Sequence, residues 1–217
     1  MPAVKPRARV MVLTSGSGTN MEAVVKFSLE PDAPYEVVKV LSDRPCAALE
    51  KASRYGIPTA ELNRHEPEFH DRLARETADA DVIVLAGYLS IMRRDLVRQF
   101  EGRLINIHPS LLPKFGGRGM YGIHVHEAVL EAKETESGCT CHLVSVAVDQ
   151  GPILVQKKVA VLPTDNPRDL QVRILPLEHQ CLVEGLLQVV RNLGTSSGGS
   201  TEEENQGIVN QNTEGEK

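Results

Sequence analysis

Asn106 and His108 stand two residues apart, directly after residues 103–105, which are typical of a buried strand. Side chains alternate between the faces of a strand, so this spacing puts an amide and an imidazole on the same face. Pro109 and Pro113 end such a strand, because proline has no N–H for the ladder. An amide that donates to an oxyanion and an imidazole that moves a proton suit acyl transfer. The motif predicts a small acyl-transfer site; for an isolated triplet, a capping Asn beside a surface His is the alternative.

Length and composition favour one aliphatic domain with an appendage. The chain has 217 residues, of which 41% are hydrophobic and only 4% aromatic, with no tryptophan; such a composition suits an α/β core. No run approaches the roughly 18 apolar residues that span a bilayer, so we expect no membrane association. Residues 1–7 lack the apolar core of a secretory signal. The four cysteines form no dense disulfide framework, which favours a reduced, cytoplasmic protein.

The segment 194–217 differs from the rest of the chain. It holds five glutamates and one lysine, so it accounts for most of the formal net charge of −5. Its aliphatic residues Ile208 and Val209 bury too little surface to offset the entropy of ordering. We predict a folded domain over residues 1–193 and a disordered, acidic, Gly/Ser-rich tail over 194–217. The remaining body has no basic field, so no nucleic acid partner is expected.

Strand-like and helix-like runs alternate along the first half of the chain. This order predicts an α/β fold with an open, mostly parallel, twisted, Rossmann-like sheet. Two later strand-like runs joined by Asp149-Gln-Gly-Pro predict a C-terminal antiparallel hairpin, and a long final helix follows it, interrupted near Pro176. Strands are predicted at 9–13, 36–41, 81–86, 103–108, 139–148 and 153–161, and helices at 21–25, 47–55, 69–77 and 166–193.

A glycine-rich loop, residues 15–20, connects the first strand to the first helix. Its glycines let the backbone approach an anion, and the helix N-terminus offers free N–H groups and a positive dipole end. A dinucleotide fingerprint is only half met, because Met21 replaces its third glycine, although Asp43 could serve as the ribose-binding acid. A tight turn without any ligand is a further alternative. The residues predicted to hold a single phosphate are Gly18, Thr19 and Asn20.

Four motifs, at 15–20, 85–89, 106–113 and 149–152, occur together and in order. With them, the sequence resembles the phosphoribosylglycinamide formyltransferase family over about residues 8–193. The resemblance implies a catalytic domain of formyltransferase fold over 1–193. It also implies transfer of a formyl group from 10-formyltetrahydrofolate, as co-substrate, to the amine of glycinamide ribonucleotide in de novo purine biosynthesis. We expect a monomer or homodimer.

The resemblance also implies roles for individual residues. The implied catalytic residues are Asn106, His108 and Asp149. The implied nucleotide-binding residues are Gly18, Thr19, Asn20 and Glu178. The residues implied to line the folate pocket are Leu89, Ser90, Ile91, Met92, Asn106 and Val144.

The implied catalytic residues suggest a mechanism without metal or covalent intermediate. Asn106 and protonated His108 would both donate to the oxyanion of a tetrahedral intermediate. His108 would then protonate the departing folate nitrogen, directly or through water. Asp149 would raise the pKa of His108 by favouring the cation. A simple hairpin-turn acid is the alternative for Asp149, since Asp is frequent in turns.

The sequence departs from the family pattern at three places. Ser90 stands where relatives often carry Arg, which puts polar folate contacts there in doubt. The glycine-rich loop 116–122 is longer than in many relatives; we expect a mobile flap over the nucleotide, from which Arg118 could reach the phosphate. Cys141 takes a position that is usually aliphatic, consistent with a small buried hydrophobe.

Other functions share some of these sequence features. A formyltetrahydrofolate hydrolase is the main alternative. Its family usually has a regulatory domain before the catalytic domain, whereas the first predicted strand of this sequence begins near residue 8. A methionyl-tRNA formyltransferase would need a further domain and a basic surface. A non-catalytic nucleotide-binding protein would not need the implied catalytic residues. A zinc site would take its ligands from His124, His126, Cys139, Cys141 and His142. The C-x-C spacing disfavours such a site, and strand alternation turns His142 away from both cysteines. His142 is then a core or near-site histidine.

Overall fold

A seven-stranded sheet forms the centre of the computed structural model, which describes residues 6–196. The strands are β1 (Ala8–Thr14), β2 (Tyr35–Ser42), β3 (Thr59–Glu61), β4 (Val82–Leu85), β5 (Leu104–His108), β6 (Glu136–Leu143) and β7 (Ile153–Ala160). The helices are α1 (Thr19–Ser28), α2 (Ala47–Arg54), α3 (Phe69–Thr77), α4 (Arg94–Gln99), α5 (Ile123–Glu131) and α6 (Pro167–Ser196). The strand order is β3-β2-β1-β4-β5-β6-β7.

Strands β1 to β5 are parallel, and β6 and β7 add to them as antiparallel strands. The predicted open, mostly parallel sheet with an antiparallel addition and a long final helix is confirmed. The direction of strand order reverses between β1 and β4, because the chain passes from β1 to β2 and β3 on one side and then returns to β4 on the other side of β1. In sheets of this kind, ligands bind outside the carboxyl ends of the strands at that reversal.

Helices cover both faces of the sheet, so its central strands are apolar on both sides. Along β1, Val10 and Val12 pack with α1, α2, α5 and α6, whereas Met11 and Leu13 pack with α3 and α4. These four side chains are at most 5% exposed. Burial of each such side chain contributes about 1.5–3 kcal/mol. The two helical layers therefore fix the position of the sheet edge from which the loops after the parallel strands extend.

Two predicted element boundaries were wrong. Strand β6 ends at Leu143 and not at residue 148, because β7 begins at Ile153, opposite His142, and offers no further ladder partners beyond that point. The hairpin connection is therefore residues 144–152. The interruption predicted near Pro176 does not occur, since α6 continues through it while packed against α1, α5, β6 and β7.

The start of α6 is fixed by local hydrogen bonds. The Asn166 side chain accepts the N–H groups of Arg168 and Asp169, and the Asp169 carboxylate accepts the N–H of Asn166. This reciprocal cap satisfies donors that every helix start leaves open, and Pro167 suits the first helical position. Helix α6 extends to Ser196; the rest of the predicted tail, 197–217, lies outside the described residues.

Within residues 6–196, no helix is both long enough and apolar enough to cross a bilayer. The four cysteines are free, and Cys139, Cys141 and Cys181 are buried between the sheet and α6.

We predict that Gly185→Ala destabilises the fold. A Cβ at this position of α6 would overlap Sγ of Cys141 and lie 3.1 Å from its Cβ. Overpacking of this kind costs about 1–3 kcal/mol, which exceeds the gain in helix propensity of up to about 1 kcal/mol. Chemical denaturation should give a lower free energy of unfolding, and a smaller loss when Gly185→Ala is made in a Cys141→Ala background. An equal loss in both backgrounds would contradict the contact.

Candidate active site

A cavity of about 920 Å³ opens at the carboxyl ends of β1, β4 and β5, at the reversal of strand order. Backbone contacts join the loops that follow β1 and β4: Ser15 N–H donates to Gly87 O over 3.0 Å, and Leu89 N–H donates to Ser15 Oγ over 2.9 Å. The cavity collects every site residue proposed from the sequence: Gly18, Thr19, Asn20, Leu89, Ser90, Ile91, Met92, Asn106, His108, Val144, Asp149 and Glu178.

Asn106 lies on β5 directly opposite His142 of β6. His142 Nδ1 is 2.9 Å from the carbonyl of Leu143, so neutral His142 carries its proton on Nδ1 and accepts at Nε2. That Nε2 is 3.1 Å from Asn106 Nδ2. The antiparallel strand therefore orients the Asn106 amide and occupies one of its two hydrogens, leaving the second for a ligand.

His108, also on β5, is 4% exposed, and each of its ring nitrogens faces an oxygen atom. Its Nε2 donates to Phe115 O over 2.7 Å. Its Nδ1 lies 3.7 Å from Asp149 Oδ2, which also accepts Gly117 N–H over 2.9 Å. Phe115 and Asp149 have φ of 55° and 56°, a region that residues other than glycine rarely adopt. Two strained backbone positions thus hold the partners of this imidazole.

Burial lowers the pKa of the His108 imidazole below its ordinary value, although the Asp149 charge and the Phe115 carbonyl act to raise it. The carboxylate acts in the direction predicted from sequence, but desolvation is the larger effect. His108 is therefore neutral at neutral pH. A proton that arrives at Nδ1 would face Asp149, so the imidazolium has a partner at each nitrogen.

Burial also acts to raise the pKa of the Asp149 carboxyl, but its contacts outweigh that effect. When protonated, the His142 and His108 imidazoles favour the carboxylate, and together with the Gly117 N–H they hold its pKa below its ordinary value. Asp149 Oδ1 lies 3.6 Å from His142 Nε2. Asp149 is therefore a fixed negative charge beside two imidazoles.

The glycine-rich loop brings the N-terminus of α1 into the cavity. Gly18 precedes the helix with φ 77°, and a Cβ there would lie 2.6 Å from the Cβ of Ala48, so glycine is required. Asn20 Nδ2 donates to Glu178 Oε2 of α6 over 2.6 Å. Burial raises the pKa of Glu178, and the Asn20 hydrogen bond opposes that rise. Asn20 Oδ1 is buried without a partner among the described residues.

The segment 89–92 forms an apolar rim on the other side of the cavity. Leu89 and Ile91 are 44% and 60% exposed, whereas Met92 is buried. Ser90 Oγ donates to Asp43, whose two carboxylate oxygens also bind the Arg44 guanidinium. Because Asp43 is fully paired and does not line the cavity, it is not placed to bind the ribose of a dinucleotide.

His126 of α5 is a cavity residue that the sequence indicated only as a candidate zinc ligand. It is fully buried, and neither ring nitrogen has a partner among the described residues. Burial, helped by the charge of His108, lowers its pKa to about 4. The His-x-His spacing could have drawn attention to it, but α5 itself was not predicted. Within residues 6–196, no three His, Cys, Asp or Glu side chains are grouped as metal ligands.

A family model described as formyl transferase matches residues 8–186. The chain is 43% identical over 184 residues to the trifunctional purine biosynthetic protein adenosine-3 of Drosophila pseudoobscura pseudoobscura. That match covers 81% of this chain but 13% of that protein, so the chain spans a small part of the trifunctional relative. This chain is also 32% identical over 204 residues to the phosphoribosylglycinamide formyltransferase of Haemophilus influenzae, and that match covers 88% of this chain and 94% of the relative.

Solved structures give the same picture. The glycinamide ribonucleotide transformylase 1 of Symbiobacterium toebii superposes with a TM-score of 0.80 at 36% identity, covering 86% of this chain and 89% of that one. A formyltetrahydrofolate deformylase of Pseudomonas syringae pv. tomato gives a TM-score of 0.78 at 23% identity, covering 86% and 62%. At that identity, the second match indicates a shared fold alone.

We predict that Asp149→Asn lowers the pKa of His108 further. The carboxylate at 3.7 Å is the main group that opposes the effect of burial on this imidazole, and asparagine keeps its shape and tolerates positive φ. NMR titration of the His108 ring protons measures the shift. Asp79→Asn, on an exposed turn outside the cavity, is the matched control and should leave the pKa unchanged. An unchanged or higher pKa in Asp149→Asn would contradict the ion pair.

Proposed function

Because the chain belongs to the formyl transferase family, we propose that it transfers a formyl group from 10-formyltetrahydrofolate to the primary amine of glycinamide ribonucleotide, a step of de novo purine biosynthesis. One observation carries this proposal: a single cavity holds an anion-binding helix start, the Asn106–His108–Asp149 group and an apolar rim. The relatives named as formyltransferases support the same substrates. Cytoplasmic location, a monomeric or dimeric state and the absence of nucleic acid partners stay predictions.

The nucleotide would lie at the start of α1. The first N–H groups of a helix have no partner within the helix and favour negative charge, so Gly18, Thr19 and Asn20 would hold the phosphate through backbone and side-chain donors. Glu178, fixed by Asn20 at 2.6 Å, would accept hydrogen bonds from ribose hydroxyls. Hydrogen bonds from these hydroxyls would offset the cost of burying the charged Glu178 carboxylate.

The folate would lie along the apolar rim. Leu89 and Ile91 expose large side chains at the cavity mouth, and a flat aromatic ring that covered them would remove this surface from water. Met92 and Val144 also line the cavity beside them. Ser90 would contribute its backbone, because its hydroxyl is already bound to Asp43.

The chemistry would begin with attack of the neutral amine on the formyl carbon, which forms a C–N bond and a tetrahedral oxyanion. The free amide hydrogen of Asn106 would donate to that oxyanion, and a donor of this kind contributes about 3–4 kcal/mol. His108 would exchange its Phe115 carbonyl partner for the substrate, which requires residues 115–117 to shift. Released from the Phe115 carbonyl and with its ring proton on Nδ1, facing Asp149, it would accept at Nε2 the proton that the amine loses. It would return that proton to the folate nitrogen as the bond between the formyl carbon and the folate nitrogen breaks.

The hydrolytic alternative uses the same cavity with water in place of the amine. It needs no ribonucleotide, so the requirement for the second substrate separates the two reactions. The experiment mixes the protein with glycinamide ribonucleotide and 10-formyl-5,8-dideazafolate and follows the deformylated product by absorbance. Turnover that requires the ribonucleotide supports the proposal. Deformylation without it would support a hydrolase, and the absence of turnover would contradict both.

We predict that His108→Ala reduces turnover by at least about 10²-fold, the usual contribution of a general acid–base residue. Binding of glycinamide ribonucleotide, measured by calorimetry, should change little because the α1 contacts remain. His65→Ala is the control: His65 lies on an exposed loop outside the cavity and should retain normal activity. Normal turnover in His108→Ala would exclude the proposed mechanism.

A further inference from the structure

Arg118 lies at the corner of a hydrogen-bonded turn. Met120 N–H donates to Gly117 O over 3.1 Å, which closes a four-residue turn with Arg118 and Gly119 at its centre. Gly119 has φ 86°, as the second central position of a type II turn requires. The base of the turn is fixed from outside, because Gly117 N–H donates to the Asp149 carboxylate over 2.9 Å. The backbone of Arg118 is thus positioned although its side chain is exposed.

The turn carries one of two arginines that line the cavity, and no lysine lines it in the described part of the chain. The acidic side chains of the lining are Asp149 and Glu178. Neither Arg94 nor Arg118 has an ion pair or hydrogen bond to a described residue. The cavity therefore has two arginine side chains whose donors are available to a ligand.

The two arginines enter the cavity from opposite faces of the sheet. Arg94 begins α4, which packs in the cluster with α3, and it lies two residues after the apolar rim 89–92. The turn at Arg118 leads into α5, which packs against α6, and α6 packs against α1. Arg118 consequently lies on the side of the cavity that holds the α1 N-terminus and the Asn20–Glu178 hydrogen bond.

A phosphate monoester needs more positive charge than that side otherwise supplies. It carries close to two negative charges at neutral pH, whereas a helix N-terminus offers about half of one positive charge. Glu178 and Asp149 in the same lining oppose an anion further. A guanidinium presents a planar pair of donors that matches phosphate oxygens. Arg118 is a cation on this side of the cavity that can offset the charge of a phosphate.

We infer that Arg118 binds the phosphate of the ribonucleotide substrate and so determines the preference for a phosphorylated acceptor. This inference rests on the proposed function. The turn 117–120 carries the guanidinium to the phosphate held by the α1 N-terminus, and its bond to Asp149 keeps the turn at the cavity mouth. Arg118 is a specificity-determining residue; it takes no part in the bonds that form and break.

Arg118→Ala should raise the KM for glycinamide ribonucleotide at least about tenfold, the factor that a charge-assisted bond of about 1.5–3 kcal/mol implies. The kcat and the KM for the formyl donor should stay within about twofold of the original values, since the bond acts on the acceptor alone. Arg118→Lys keeps the charge but loses the fork, so it should give an intermediate KM. Arg98→Ala, on an exposed surface of α4 outside the cavity, is the matched control and should leave all three constants unchanged.

A phosphate-free acceptor separates a phosphate contact from general damage to the site. With glycinamide riboside, Arg118→Ala should have the same kcat/KM as the unsubstituted protein, so that the preference for the phosphorylated acceptor falls at least about tenfold, the size of the lost contact. Equal losses with both acceptors, or no change with either, would overturn the assignment.

Equilibrium binding of ribose 5-phosphate tests the same contact without turnover. Weaker binding by Arg118→Ala than by Arg98→Ala supports the phosphate contact, even if the unsubstituted protein fails to transfer a formyl group and the proposed function is wrong. Equal binding by the two variants overturns the inference, even if transfer to glycinamide ribonucleotide is observed.

Discussion

The buried carboxylate of Asp149 is the interaction on which the arrangement of the site depends. A charge in a desolvated position needs partners. Asp149 accepts the Gly117 N–H over 2.9 Å, and it faces imidazole nitrogens of His108 and His142 at 3.7 and 3.6 Å, which pair with it when they are protonated. Those partners come from β5, β6 and the loop before α5. Three separate parts of the chain therefore meet around the two carboxylate oxygens of Asp149, because leaving this buried charge without partners would destabilise the fold.

The antiparallel strands β6 and β7 bring His142 and Asp149 to the site, which the parallel strands alone do not do. Strand β6 runs beside β5 in the opposite direction, so Asn106 and His142 face each other across the pair. The connection from β6 to β7 then returns to the same edge and places Asp149 beside both histidines. Both faces of β5 are used: Ile105 and Ile107 are packed in the core, while the alternate positions carry the chemistry.

Sequence reasoning failed where long-range packing overrode a local signal. Pro176 removes one donor from α6, but the helix continues because its neighbours on both sides hold it. The strand-like run 139–148 ends at Leu143, because β7 begins at Ile153, opposite His142. Helix α5 was not predicted, so the burial of His126 against the cavity could not be seen. Each of these outcomes depends on a partner far away in sequence.

The sequence by itself determined the open, mostly parallel sheet, the glycine-rich loop before α1 and the position of Asn106 and His108 on one face of a strand. These features follow from strand alternation and from the conformational freedom of glycine, which act within a few residues. Only the tertiary structure decided that the pKa of His108 is lowered, since desolvation by surrounding elements outweighs the Asp149 charge. It also decided that Asn20 and Glu178, 158 residues apart, share a hydrogen bond. Burial and contact are properties of the whole packed chain, and local spacing carries no information about either.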